Sequence, residues 1–183
     1  MLTFLLLLVP VEARAGAIDL SGWVGAGAPL GEHGTTRGLA GLEVEFELLD
    51  YLLVGAQVDG GIFAGEENPE AVDLLGELSL APVLGVRFKA GEVFRLDLLQ
   101  AVGWTRLFGD AIDAVPVDRD LLRLRSEIRI TFVTFTAWGH PFHLGLFLAV
   151  DTYPLAPRGS IPIPLVGGLC FGADAREPPD ESS

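Results

Sequence analysis

The chain has 183 residues, half of them apolar, with 23 glycines, 12 prolines, a single cysteine and a formal net charge of −13. That length provides one domain with room for a core; the apolar content argues against disorder, the lone Cys170 excludes an intramolecular disulfide framework, and the acidic balance argues against nucleic acid as a partner, because its phosphates would be repelled. The longest apolar run, Leu2–Val11, falls short of the roughly 20 residues a spanning helix needs, which leaves membrane-like hydropathy on an acidic chain without a membrane helix.

Residues 1–15, MLTFLLLLVPVEARA, read as a signal peptide: a short apolar core, a break at Pro10, and Ala13-Arg14-Ala15 in the small-x-small pattern that signal peptidase accepts. From there to residue 173 the apolar residues recur in twos, the period of a strand with two different faces. A weak first strand covers Ile18–Leu30. Leu42, Val44, Phe46 and Leu48 then alternate with Glu43, Glu45 and Glu47. Leu52, Val54, Ala56, Val58 and Ile62 oppose Gly55, Gln57, Asp59 and Gly61. Leu78, Leu80, Leu84, Val86 and Phe88 oppose Glu77, Ser79, Gly85, Arg87 and Lys89. Phe94, Leu96, Leu98, Val102 and Trp104 oppose Arg95, Asp97, Ala101, Gly103 and Thr105. Leu122, Leu124, Ile128, Ile130 and Phe132 oppose Arg123, Arg125, Glu127, Arg129 and Thr131. Phe142, Leu144, Leu146, Leu148 and Val150 oppose His143, Gly145, Ala149 and Asp151. A weaker last strand sets Leu165, Leu169 and Phe171 against Val166, Gly168, Cys170 and Gly172. Most of these eight segments approach the 9–11 residues that cross a bilayer with tilt. Residues 174–183 read as an acidic disordered tail.

The connectors alternate in length. Those around Asp50-Tyr51, Ala90-Gly91-Glu92 and Gly139-His140-Pro141 are tight, whereas Gly31–Gly38, Ala64–Gly76, Gly109–Asp120 and Pro154–Pro164 are long and polar or proline-rich. Short periplasmic turns and longer extracellular loops are the mark of an outer-membrane barrel. Tyr51, Phe88, Phe94, Trp138 and Phe142 flank the tight turns, and Phe63, Trp104, Phe108 and Tyr153 lie toward the long connectors, where two aromatic girdles are expected. The expected fold is therefore all-β: an eight-stranded antiparallel up-and-down transmembrane β-barrel.

In such a barrel the bulky apolar set faces lipid, and the set of small residues and charges faces a narrow lumen that side chains fill. Closure also answers the backbone, since lipid cannot satisfy an open sheet edge. Pro82, which lacks a donor, implies a bulge in mid-strand, and Gln100 and Ser126, polar on the lipid face, read as bulges or phase slips. The candidate site is the lumen charge network of Glu43, Glu45, Glu47, Asp59, Arg87, Lys89, Arg95, Asp97, Arg123, Arg125, Glu127 and Arg129, with Glu77 and Asp151 on the same face. Buried charges are costly unless paired or wet, so this set is expected to form a salt-bridged polar core with at most a narrow solute path.

On this pattern, residues 18–173 resemble the small eight-stranded OmpA/OmpX/OmpW-type outer-membrane barrels, in architecture and without a diagnostic motif. The resemblance implies export to the outer membrane of a Gram-negative bacterium and a structural or surface-interaction role. Outer-membrane lipid and lipopolysaccharide are the implied partners, with the barrel-insertion machinery acting during assembly, and a monomer is expected. Such barrels end on an aromatic residue that this machinery reads; here the candidate is Phe171, followed by the acidic tail. Some relatives modify lipid A with His and Ser or Asp, but His140 and His143 surround a tight turn without a neighbouring Ser, and His33 lies in the first long connector. No catalytic, cofactor or metal residues are assigned, because Gly139-His140-Pro141-Phe142-His143 has no second ligand pair. The carboxylates Glu66, Glu67, Glu70 and Asp73, and Asp110, Asp113, Asp118 and Asp120, could share divalent cations with lipopolysaccharide. The alternatives are a soluble exported β-barrel carrier of an apolar ligand and a lipid-modifying barrel enzyme.

Overall fold

The computed structural model describes residues 18–29, 36–64, 74–91, 93–109, 119–138, 140–156 and 164–175. The alternating segments form eight strands: β1 (Ile18–Pro29), β2 (Thr36–Leu48), β3 (Leu52–Ala64), β4 (Leu74–Ala90), β5 (Phe94–Gly109), β6 (Arg119–Ala137), β7 (His140–Thr152) and β8 (Pro164–Ala175). Each pairs antiparallel with the next and β8 pairs antiparallel with β1, so the sheet closes into the expected up-and-down barrel. The expected signal peptide, His33 and nearly all of the acidic connector residues lie outside the described residues.

Three tight turns and both ends of the described chain share one end of the barrel, and the four long connectors leave the other. Leu49 and Asp50 sit at φ of 55° and 61°, so the β2–β3 turn has two successive left-handed residues, the twist that suits a tight hairpin. Gly91 supplies the same conformation between β4 and β5, and Trp138, at φ 52°, between β6 and β7.

Apart from β1, which ends at Pro29, one residue short of the expected Leu30, the strands are longer than the sequence pattern suggests, reaching 19 residues in β6. β2 begins at Thr36, inside the expected first connector, and β8 runs to Ala175, two residues past the expected end of the barrel. No bulge forms at Pro82. It pairs with Ala56 in an unbroken β3–β4 register, and the β4–β5 register resumes unshifted after a gap at Ala81 and Pro82. The missing donor interrupts the ladder without displacing it. Gln100 and Ser126 are not phase slips either. They face each other across β5 and β6 in continuous register, Ser126 Oγ donating to Gln100 Oε1 at 2.8 Å and Gln100 Nε2 to the Arg125 carbonyl at 2.9 Å. The polar pair stays on the outer face because its members satisfy each other. The register shift falls instead between Val133 and Phe135, opposite β7.

The outer face carries the bulky set: Leu42, Leu146 and Leu80 are 64%, 63% and 57% exposed, and every strand presents further large apolar residues outward. The inner face is filled. Leu53, Ala81, Val83, Leu99 and Ala101 cluster on the wall made by β3, β4 and β5, and Trp23, Leu39, Phe147, Ala149, Val166 and Cys170 on the opposite wall. Phe63 and Tyr153, expected in a girdle, point inward and pack with Leu75, Leu107 and Leu121. Trp104 and Phe108 do face outward at that end. The outer aromatics are denser at the tight-turn end, where Phe135 stacks on Phe142 at 4.9 Å and Phe94 meets Phe132 edge-on at 5.5 Å.

The glycines of the inner face make room for these large side chains. A Cβ on Gly25 would stand 2.7 Å from the Phe147 ring, and one on Gly41 would stand 2.5 Å from the Trp23 indole. A small barrel can hold a Trp and a Phe inside only where its neighbours have no side chain.

Candidate functional site: the charged interior

Between the two apolar walls run the charges. Asp19, Glu43, Glu45, Glu47, Asp59, Glu77, Asp97, Glu127, Asp151 and Asp174 are all buried, as are Arg37, Arg87, Arg95, Arg123, Arg125 and Arg129. Lys89 sits at the rim and pairs with Glu47.

Arg87 on β4 is the principal crosslink at the tight-turn end. Its Nε and Nη2 donate to the two oxygens of Asp97 on β5, each at 2.8 Å. Nη2 also reaches Asp19 on β1 at 3.0 Å and Glu45 on β2 at 3.2 Å, and Nη1 reaches Glu47 at 3.4 Å. One guanidinium thus ties four strands together across the interior, with the planar multi-donor geometry that arginine has and lysine lacks. Arg129 on β6 donates to Glu43 on β2 at 2.6 Å and to Glu127 at 2.9 Å. Arg125 bonds Glu127 at 2.9 Å and lies 4.4 Å from the Trp23 ring and 5.6 Å from Phe147, a charge set against an edge-to-face aromatic pair.

Toward the long connectors, Arg37 holds Glu77 and Asp151 together, and Arg123 holds Asp59 with Glu77. Tyr153 Oη donates to Glu77 Oε1 at 3.1 Å, and Arg37 lies over the Phe63 ring at 5.0 Å. All twelve residues of the expected charge network lie on the inner side or at its rim, but in two groups with Arg125 between them.

Sequence reasoning misses five contributors. Arg37 falls in an expected loop, Asp174 in an expected tail and Tyr153 in an expected girdle; Asp19 lies in a strand of weak period, and the sequence gives His143 no partner. The strand period, carried a few residues further along β2 and β8, would have placed Arg37 and Asp174 inside. Nothing in the order of residues announces that Asp174 receives Arg95, at 2.8 Å through Oδ1, or that His143 stands 3.5 Å from Asp19.

Electrostatically the interior is unequal. Asp59, Glu77 and Asp151 share Arg37, Arg123 and Arg125. The remaining carboxylates share Arg87, Lys89, Arg95 and Arg129, with Arg125 also reaching Glu127. The surplus of negative charge among the described residues therefore lies toward the tight-turn end, where Asp19 Oδ1, Glu43 Oε1 and Glu45 Oε1 also have no hydrogen bond among the described residues.

No protein-family model matches the chain, and no curated protein matches it. Solved structures do. The outer membrane protein OprG from Pseudomonas aeruginosa superposes with a TM-score of 0.57 at 14% identity, over 89% of this chain and 97% of that one. The N-terminal β-barrel domain of Pseudomonas aeruginosa OprF does so at 0.56 and 12%, over 87% and 98%. Ail, the attachment invasion locus protein of Yersinia pestis, does so at 0.51 and 14%, over 87% and 96%. The chain has the fold of the small eight-stranded outer-membrane β-barrels.

Proposed function

We propose that this chain is an integral barrel of the outer membrane of a Gram-negative bacterium, with a structural or surface-interaction role and an interior closed to solutes. The observation that carries the reading is Arg87, whose guanidinium reaches Asp19, Glu45, Glu47 and Asp97 from three other strands. A path for solutes would have to pass through that crosslink, and removing a partner from a buried charge pair costs about 3–5 kcal/mol. The apolar outer face supports the membrane reading: exposed in water, it would far exceed the few hundred Å² of contiguous apolar patch that soluble monomers tolerate. A soluble carrier would need the reverse, an apolar interior large enough for a ligand.

The partners of this role are outer-membrane lipid and, at the long connectors, lipopolysaccharide, whose anionic groups the acidic loop residues would meet through divalent cations. Asp120, the described member of that set, is exposed and pairs with Arg106 at 3.7 Å. Phe171, outward on β8 and 50% exposed, would serve as the aromatic residue that the insertion machinery reads. No catalytic role is assigned.

Reconstitution into planar bilayers tests the closed interior. The expected record is silent, and recurrent open-channel steps at neutral pH would overturn it. Protein that remains dissolved and monomeric without detergent would overturn the membrane assignment itself.

A further inference from the structure

β1 and β8 set Asp19 directly opposite Asp174, both inward and 2% exposed. Like charges opposite one another destabilise a strand pair, and burial removes the water that would screen them. β7 adds His143, which pairs with Gly172, two residues before Asp174 on the same face of β8. A Cβ at position 172 would stand 2.5 Å from His143 Nε2, so the glycine leaves the space into which the imidazole projects.

One ligand atom from each of Asp19, His143 and Asp174 lies within 4.8 Å of the others. His143 Nε2 is 3.5 Å from Asp19 Oδ1, and Nδ1 is 3.9 Å from Asp174 Oδ1. Asp19 Oδ1 and His143 Nδ1 are buried with no hydrogen-bond partner among the described residues. Donors at about 2.1 Å around a tetrahedral ion stand about 3.4 Å apart; the 3.5 Å and 3.9 Å distances involve opposite nitrogens of the imidazole, of which one takes the ion, so side-chain rotation must draw the three donors in from their 4.8 Å spread. Arg95 holds Asp174 and lies 3.7 Å from Asp19, but each carboxylate oxygen has a second acceptor direction. Arg87 Nη2 also donates to Asp19 Oδ2 at 3.0 Å, so each aspartate has a guanidinium partner and the surplus of negative charge belongs to this end of the barrel as a whole.

We propose that Asp19, His143 and Asp174 bind one divalent transition-metal ion, of the Zn²⁺ class, inside the tight-turn end of the barrel. An imidazole nitrogen with two carboxylates suits Zn²⁺ or Co²⁺, whereas Mg²⁺ and Ca²⁺ favour oxygen-only shells. The ion would crosslink β1, β7 and β8 across the seam where the chain closes on itself. The three ligands come from distant parts of the sequence, which is why no spacing motif marks them.

The test uses untagged full-length protein folded in detergent, titrated with Zn²⁺ by calorimetry and with Co²⁺ by absorption spectroscopy, Mg²⁺ serving as the control. One equivalent of Zn²⁺ is expected, in wild type and in the His33→Gln/His140→Gln double variant alike. His143→Gln and Asp19→Asn should each weaken binding by roughly tenfold or more. The chain has three histidines, so a nitrogen-ligated Co²⁺ spectrum in the double variant assigns the ion to His143 even where His143→Gln does not fold. Absence of stoichiometric binding in wild type would overturn the proposal and leave His143 an ion-pair partner of the two aspartates. Binding that survives His143→Gln but is lost in the double variant would overturn it in favour of a site on the other histidines.

Discussion

Leu146 occupies the centre of β7, a strand of 13 residues from His140 to Thr152, and is 63% exposed on the outer face. At about 3.3 Å per residue and a tilt of about 40°, that strand spans about 30 Å along the barrel axis, so Leu146 falls near the middle of a bilayer core. Leu146→Arg then places a guanidinium at the midplane, at an expected cost of about 2–4 kcal/mol, which lowers the folding equilibrium constant by about 30-fold to nearly 1000-fold. Leu155, 76% exposed beyond the end of β7, provides the control: Leu155→Arg lies outside the strand and should cost about 0–1 kcal/mol. Guanidinium unfolding of protein refolded into phospholipid vesicles, followed by tryptophan fluorescence and by heat-shifted gel migration, reads both. A Leu146→Arg variant within about 0.5 kcal/mol of wild type would refute the assignment of this face to lipid, because a surface substitution in water has about that effect.

Other perturbations probe the interior and the register. Arg87→Met strips the cation shared by Asp19, Glu45, Glu47 and Asp97 and should destabilise by about 3–5 kcal/mol; a loss under about 1 kcal/mol in the same unfolding assay would show the crosslink to be redundant. Gly168→Ala would set a Cβ 2.1 Å from the Val24 carbonyl oxygen, while Gly38→Ala would meet nothing within 4 Å. The first should lower stability by about 1–3 kcal/mol and the second should leave it unchanged, so equal effects would contradict the close approach of β1 and β8. Ser126→Ala alone removes the donor to Gln100 Oε1 in an apolar setting and should cost about 0.6 kcal/mol. The Gln100→Leu/Ser126→Ala pair should be neutral or stabilising, and a double variant worse than the single would indicate that the pair has a role beyond mutual satisfaction.

Much of the barrel is legible in the chain because a strand has only two faces. Once Leu42–Leu48 is seen to alternate Leu, Val and Phe with three glutamates, the side-chain period assigns one set to each side without knowledge of any other strand. Alternating short and long connectors add the up-and-down order, and the surplus of bulky apolar residues on one face indicates which side meets lipid. The twelve charged residues named from that pattern follow from the same rule. The strand ends do not, because the period weakens where Gly and Pro accumulate, so Arg37 reads as loop and Asp174 as tail.

Period alone cannot say which inward residues meet. Whether Pro82 makes a bulge depends on whether both neighbouring ladders can keep step around a missing donor, and they can. Whether Gln100 and Ser126 are misplaced depends on a register that seats them opposite each other. Trp23 and Phe147 point inward because Gly41, Gly25 and Gly168 leave room across the strands. The amino-acid order by itself determined an alternating, membrane-compatible barrel with charges on its inner face, since that requires only local periodicity and burial. Tertiary structure decided that Arg87 serves four carboxylates, that Asp19 and Asp174 face each other at the closing seam, and that His143 lies beside them. Those contacts arise from register and closure, which bring together residues as distant in the chain as Asp19 and Asp174.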